Sequence, residues 1–89
     1  MPRHLKSIQE LARIFFEFSY WHEMEQTPFK PRAYQLASES LTALDDEVRE
    51  TWRRGGIPAL MELPAIGQST AEKIDEYLRT GHIVEYDAI

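Results

Sequence analysis

The run LPAIGQSTAEKI at residues 63–74 constrains this chain more than any other stretch. Leu60 and Leu63 lie three apart and stop at Pro64, whereas Ala71, Ile74 and Leu78 recur at helical spacing after Gly67. Two apolar stripes on either side of a short break can pack together, so the spacing predicts two short helices joined by a tight hairpin at about residues 57–80. Ser69, three residues before Glu72, has the form of a capping box that would start the second helix near Gln68 or Ser69. The first backbone N–H groups of that helix, at the positive end of its dipole, attract a phosphate. Gly67 permits a close backbone approach that a side chain would obstruct.

Upstream, Ile8, Leu11, Phe15 and Phe18 form a helical stripe that Ile14 widens, and Phe16, Tyr20 and Trp21 thicken its apolar side. The spacing predicts a first helix over residues 7–21. Pro28 and Pro31 mark a turn, and Pro31 suits the first turn of a second helix reaching Leu44, with Ala33, Ala37, Leu41 and Leu44 facing inward. Asp45 or Asp46 is a plausible cap for a third helix carrying Val48 and Trp52, which Gly55 and Gly56 would stop. Trp21, Trp52 and the first-helix phenylalanines follow packing faces and are read as core. No strand-like alternation or repeat competes. The expected fold is all-α, a compact bundle of about four to five short helices containing one helix-hairpin-helix motif, as a single domain over 1–89.

The chain has no cysteine, which removes disulfides and thiolate metal sites, and no apolar run of membrane-spanning length. His4, His22 and His82 share no metal-ligand spacing. An intracellular monomer is the expectation: cytoplasmic or nucleoid-associated in a bacterium, nuclear in a eukaryote. Net charge is −5, which argues against strong independent binding to DNA, because sequence-independent affinity comes from neutralised phosphates. Residues 57–89 hold two Lys/Arg against six Asp/Glu. Either a basic patch of Lys30, Arg32 and Lys73 offsets this, or a larger partner domain supplies most of the affinity.

The segment PFKPRAY at residues 28–34, the hairpin, and AEKIDEYLRTG at residues 71–81 together resemble the N-terminal helix-hairpin-helix domain of family X DNA polymerases, the DNA polymerase beta-like type. The likeness covers roughly residues 5–89 and keeps several separated motifs in order. It implies a DNA-repair module that grips gapped or nicked DNA on the 5′-phosphate side, without sequence preference. It also implies further polymerase domains of the same longer chain as partners, and no polymerase activity in this chain alone.

The same resemblance implies site residues. Lys73 matches the family's Schiff-base lysine for 5′-deoxyribose-phosphate lyase action, with Tyr34 and Glu72 positioning a water or proton and no cofactor required. Lys30 and Tyr34 match residues beside the 5′-phosphate, Arg32 adds charge, and Phe29 stands where the family stacks a ring on a base. Gly67, Gln68, Ser69 and Thr70 would follow the strand by their backbone. Carbonyls near Met61, Leu63 and Ile66 would hold Na+ or K+. Ser69 and Met61 replace family lysines, and Ala65 replaces the usual first glycine of the hairpin, where a left-handed conformation would be strained.

Taking Ala71, Ile74 and Leu78 as the buried face, Lys73 falls roughly 130° from its centre, which predicts an accessible amine beside Ser69, Glu76 and Tyr77. The carboxylates of Glu72, Asp75 and Glu76 favour its ammonium form. Three readings follow: a gap-binding module, an active lyase through Lys73, or a non-catalytic interaction scaffold whose acidic surface meets a basic partner.

Overall fold

The computed structural model describes residues 7–88, so the reading of His4 lies outside the described residues. Within them the chain forms five α-helices and no strand: α1 (Ile8–Met24), α2 (Lys30–Leu44), α3 (Asp46–Leu60), α4 (Gln68–Thr80) and α5 (Val84–Asp87). The all-α expectation and the hairpin between α3 and α4 are what the structure shows.

Ser7 caps α1 by accepting the Glu10 amide at 2.9 Å. The helix runs a turn beyond the expected end, to Met24, because the stripe that begins at Ile8 continues through Phe18 to a buried His22. It then closes with Thr27 N–H on the His22 carbonyl and Gln26 N–H on that of Glu23, the two bonds of a Schellman stop, with Gln26 in the left-handed position at φ 60°. Ile8, Leu11, Phe15 and Phe18 meet Tyr34, Ala37 and Leu41 of α2, the largest helix contact in the fold. Each such large side chain contributes about 1.5–3 kcal/mol by leaving water. The buried Ser38 hydroxyl joins this seam by donating to the Ala12 carbonyl at 2.7 Å.

Several facing assignments change. Phe16 and Tyr20 point outward, with Met24 extending their exposed row, and Ala33 is exposed while Tyr34 turns inward. Trp21 and Trp52 are half-buried at the core's margin. Asp45 occupies the N-cap position of α3, but its side chain caps nothing; it accepts from Gln9 Nε2 at 3.1 Å and ties that junction to α1.

The double glycine interrupts the third helix where the sequence placed its stop, and a short further turn continues beyond the kink. Gly56 adopts φ 63° and ψ −148° inside α3, a conformation that side-chain-bearing residues rarely enter, and a last helical turn carrying Pro58 follows to Leu60. That kink swings Leu60 into the core and aims the chain at the hairpin. Trp52 Nε1 donates to Asp75 Oδ1 at 2.9 Å, fastening α3 to α4. This bond, with Arg79, holds the Asp75 carboxyl below its usual pKa. Ile66, Ala71, Ile74 and Tyr77 complete the core, and Ile83 closes it behind α4.

Candidate nucleic-acid interface

The hairpin is built on one turn. Ile66 N–H donates to the Leu63 carbonyl at 3.2 Å across Pro64 and Ala65, and Ala65 takes φ 65°. Proline followed by a positive-φ residue is the pattern of a type II turn, whose third position favours glycine. The strain anticipated for alanine is therefore present. Helix α4 then starts at Gln68, as expected, but the capping box is not the Ser69–Glu72 pair. Gly67 is the N-cap, and its N–H donates to Thr70 Oγ1 at 3.0 Å while the Thr70 hydroxyl reaches the Gly67 carbonyl at 3.1 Å. Thr70 can do this because it is buried at the helix base; Ser69 is exposed.

The first intrahelical bond runs from Ala71 N–H to the Gly67 carbonyl at 2.9 Å. The amides of Gln68, Ser69 and Thr70 precede it and lack intrahelical acceptors. Gly67 itself has φ −94°, open to any residue, and nothing lies within 4 Å of where its Cβ would be. Neither backbone strain nor packing explains the glycine, whereas a strand drawn close to these amides would. The Leu63 carbonyl of the suggested cation site is the one engaged by Ile66 N–H, which leaves it one further lone pair.

A second feature lies at the start of α2. Phe29, its N-cap, has φ 69° and ψ −26°, and the Lys30 amide bonds back to the Pro28 carbonyl at 2.8 Å, a three-residue closure that is strained for a residue with a side chain. Its ring is 90% exposed. Lys30 and Arg32 beside it are exposed too.

Lys73 departs most from expectation. Its side chain is only 15% exposed, and its ammonium pairs with Glu85 Oε1 at 3.1 Å, 6.0 Å from the Phe18 ring centre and 5.8 Å from that of Tyr34. The amine does not stand free in solvent, because α5 folds back and lays a carboxylate over it. Burial is the largest single influence and opposes the charge, but Tyr34 and Glu85 together outweigh it, so the Lys73 pKa is raised. The carboxylates thought to surround it are engaged elsewhere: Glu72 accepts from Gln68 Nε2, Asp75 from Trp52 and Arg79, and Glu76 from the Val84 amide. Tyr77 is buried, not surface, and its hydroxyl donates to Glu10 at 2.9 Å.

The fold thus brings Tyr34 and Lys73 together and leaves Glu72 outside their group. It adds a residue that the sequence reading set aside. His22, 6% exposed, stacks parallel to Tyr34 with ring centres 5.3 Å apart, and Nε2 lies 4.0 Å from Glu85 Oε2. Burial holds its pKa below the ordinary value; Lys30 and Lys73 push the same way, Glu85 and Glu25 the other. Its position four residues after Phe18, on the α1 core stripe, was the signal in the sequence.

Among the described residues no group of three or more His, Cys, Asp or Glu side chains is arranged to hold a metal ion, and no helix is long and apolar enough to cross a membrane. No curated protein matches the chain. A family model described as a helix-hairpin-helix domain matches residues 7–83. Helix-hairpin-helix domains generally bind DNA, in keeping with the open amides that follow Gly67. By that match across nearly all its length, and by the α3–turn–α4 geometry that accounts for it, this chain belongs to the helix-hairpin-helix domain family.

Proposed function

We propose that this domain binds gapped or nicked DNA on the 5′-phosphate side, without sequence preference, as the N-terminal module of a family X DNA polymerase. The observation that carries the reading is Phe29: a large aromatic residue held in a strained conformation with its ring in water is unfavourable twice over, and a base stacked on it repays both. Lys30 and Arg32 flank it as phosphate contacts, and the Gly67 to Thr70 backbone follows the strand, with the amides of Gln68, Ser69 and Thr70 as the helix-terminus donors. Na+ or K+ at the Met61, Leu63 and Ile66 carbonyls would bridge the hairpin to the strand in this reading. The acidic net charge leaves much of the affinity to the rest of a longer chain.

Fluorescence anisotropy at low salt tests it, comparing a short-gap duplex bearing a 5′-phosphate, the same gap with a 5′-hydroxyl, and intact duplex. The phosphorylated gap should bind tightest. Phe29→Ala should weaken it by about 1–3 kcal/mol, the worth of one base stacked on an aromatic ring. No binding to any of the three would leave the interaction-scaffold reading in its place.

A second reading keeps lyase action, because Tyr34 and Lys73 do share one site. The neutral amine would add to the sugar aldehyde with loss of water, and the imine would then lose a C2′ proton as the C3′–O bond to the 5′-phosphorylated strand breaks. The raised Lys73 pKa works against the first step. Borohydride trapping on a 5′-incised abasic duplex, lost in Lys73→Ala, would establish it.

A further inference from the structure

Buried polar atoms normally have partners, and each exception asks for a reason. Three of the exceptions here fall in one place. Both ring nitrogens of His22 and the hydroxyl of Tyr34, residues only 6% and 2% exposed, lack a hydrogen-bond partner; the two rings stack on each other, the Lys73 ammonium lies 5.8 Å from the Tyr34 ring centre, and Glu85 faces both His22 and Lys73. The one anion present serves this group incompletely. Glu85 reaches Lys73 at 3.1 Å, stands 4.0 Å from His22, and leaves the Tyr34 hydroxyl unmet.

We infer that His22, Tyr34 and Lys73 form a side-chain anion site in which Glu85 is a built-in substitute, displaced when a terminal phosphate monoester enters. A carboxylate has two oxygens in one plane, whereas a monoester has three non-bridging oxygens and greater charge, enough to meet three convergent donors at once. An internal phosphodiester has two such oxygens and fits no better than Glu85 does, so the site favours a strand end over mid-strand. Displacement is mechanically easy. Glu85 is about half exposed and sits on α5, a single four-residue turn with no buried residue of its own. The turn is held by the Val84 amide on Glu76, Tyr86 on Glu17, and Asp87 beside His82. Segments with few buried contacts open at low cost.

The extension to DNA rests on the gap-binding reading; the anion site does not. The test is therefore run first with inorganic phosphate, following the His22 ring 15N signals by NMR in the wild type and in Glu85→Gln, which keeps shape and removes the competing charge. Glu85→Gln should bind phosphate at least about tenfold more tightly than wild type, as expected for a vacated charge-assisted partner. Glu85→Ser should show the same gain, and adding Lys73→Met should abolish it. Absence of His22 shifts in both Glu85 variants, or equal affinity in wild type and variants, overturns the inference.

The 5′-phosphate and 5′-hydroxyl gaps are then compared. A larger phosphate preference in Glu85→Gln supports both statements. Phosphate binding at His22 without gap preference keeps the site and removes the gap reading. Gap preference unchanged by Glu85→Gln, without His22 shifts, does the reverse.

Discussion

Helix α4 carries two anion-seeking regions, and they are built in opposite ways. Its N-terminus offers backbone amides, fixed by the helix, at the exposed Gln68 and Ser69, with no carboxylate paired to them among the described contacts. Less than two turns on, Lys73 offers a side chain that is buried, stacked beside rings and already paired with Glu85. The first needs nothing to move before a phosphate approaches; the second must exchange one anion for another. A lysine so far out of water stays charged by pairing with Glu85, and that leaves the backbone end, with the exposed Lys30 and Arg32, as the standing attraction for DNA.

The sharpest way to break this contrast is Gly67→Asp. Aspartate is at least as good an N-cap as glycine, so thermal stability should hold or rise by a few tenths of a kcal/mol. A carboxylate there would meet the incoming phosphate, and DNA affinity should fall by about 2–3 kcal/mol, roughly a hundredfold, at low salt. Unchanged binding would show that the hairpin amides are not the contact and would move attention to Phe29 and Lys30.

Next in size is His22→Phe, which probes the closed region. The ring stack on Tyr34 survives while two unpartnered nitrogens vanish, so the fold should gain about 1–2 kcal/mol in a urea titration. The substitution should also flatten the acid limb of stability. Because the folded chain holds the His22 pKa below its ordinary 6.5, the unfolded state takes up the proton first, and stability falls as pH drops from 6.5 toward the lower folded value. Wild type should show that decline and His22→Phe should lack His22's share of it. Equal slopes would mean that His22 finds a proton acceptor in the folded chain.

The same contrast explains what could be read from the sequence. The hairpin was legible because every signal it uses is local: the stripe ending at Leu63, Pro64, Gly67, and the apolar recurrence from Ala71. Helix α2 was legible from Pro31 for the same reason. The Lys73 site was not, because its members come from α1, α2, α4 and α5, and only the fold tells which carboxylate arrives. Helical geometry put Lys73 far round from the buried face and read its amine as accessible; what it could not supply was α5, docked over that side of α4 by Ile83 and Tyr86, which leaves the lysine only 15% exposed. Thr70 outcompeted Ser69 for the cap because only the buried hydroxyl is held against the Gly67 backbone. The Phe16 and Tyr20 assignment failed on angle, since both lie on the far side of a helix whose inward stripe is complete without them.

The smallest effect concerns the turn that aims the open region. Ala65 at φ 65° carries the penalty of a left-handed L-residue, about 1–2 kcal/mol, against which glycine would cost about 0.5–1 kcal/mol in lost chain freedom. Ala65→Gly should therefore stabilise the domain by about 0.5–1 kcal/mol, visible as a rise in the midpoint of chemical unfolding with an unchanged slope. Its effect on DNA separates two roles for the alanine. If affinity for gapped DNA is unaltered, the methyl group is merely tolerated and the hairpin already holds the shape that glycine would give it. If affinity falls although the fold is firmer, the alanine restricts the turn in a way that presents the amides after Gly67, and the strain belongs to the binding surface in the sense that Phe29's does.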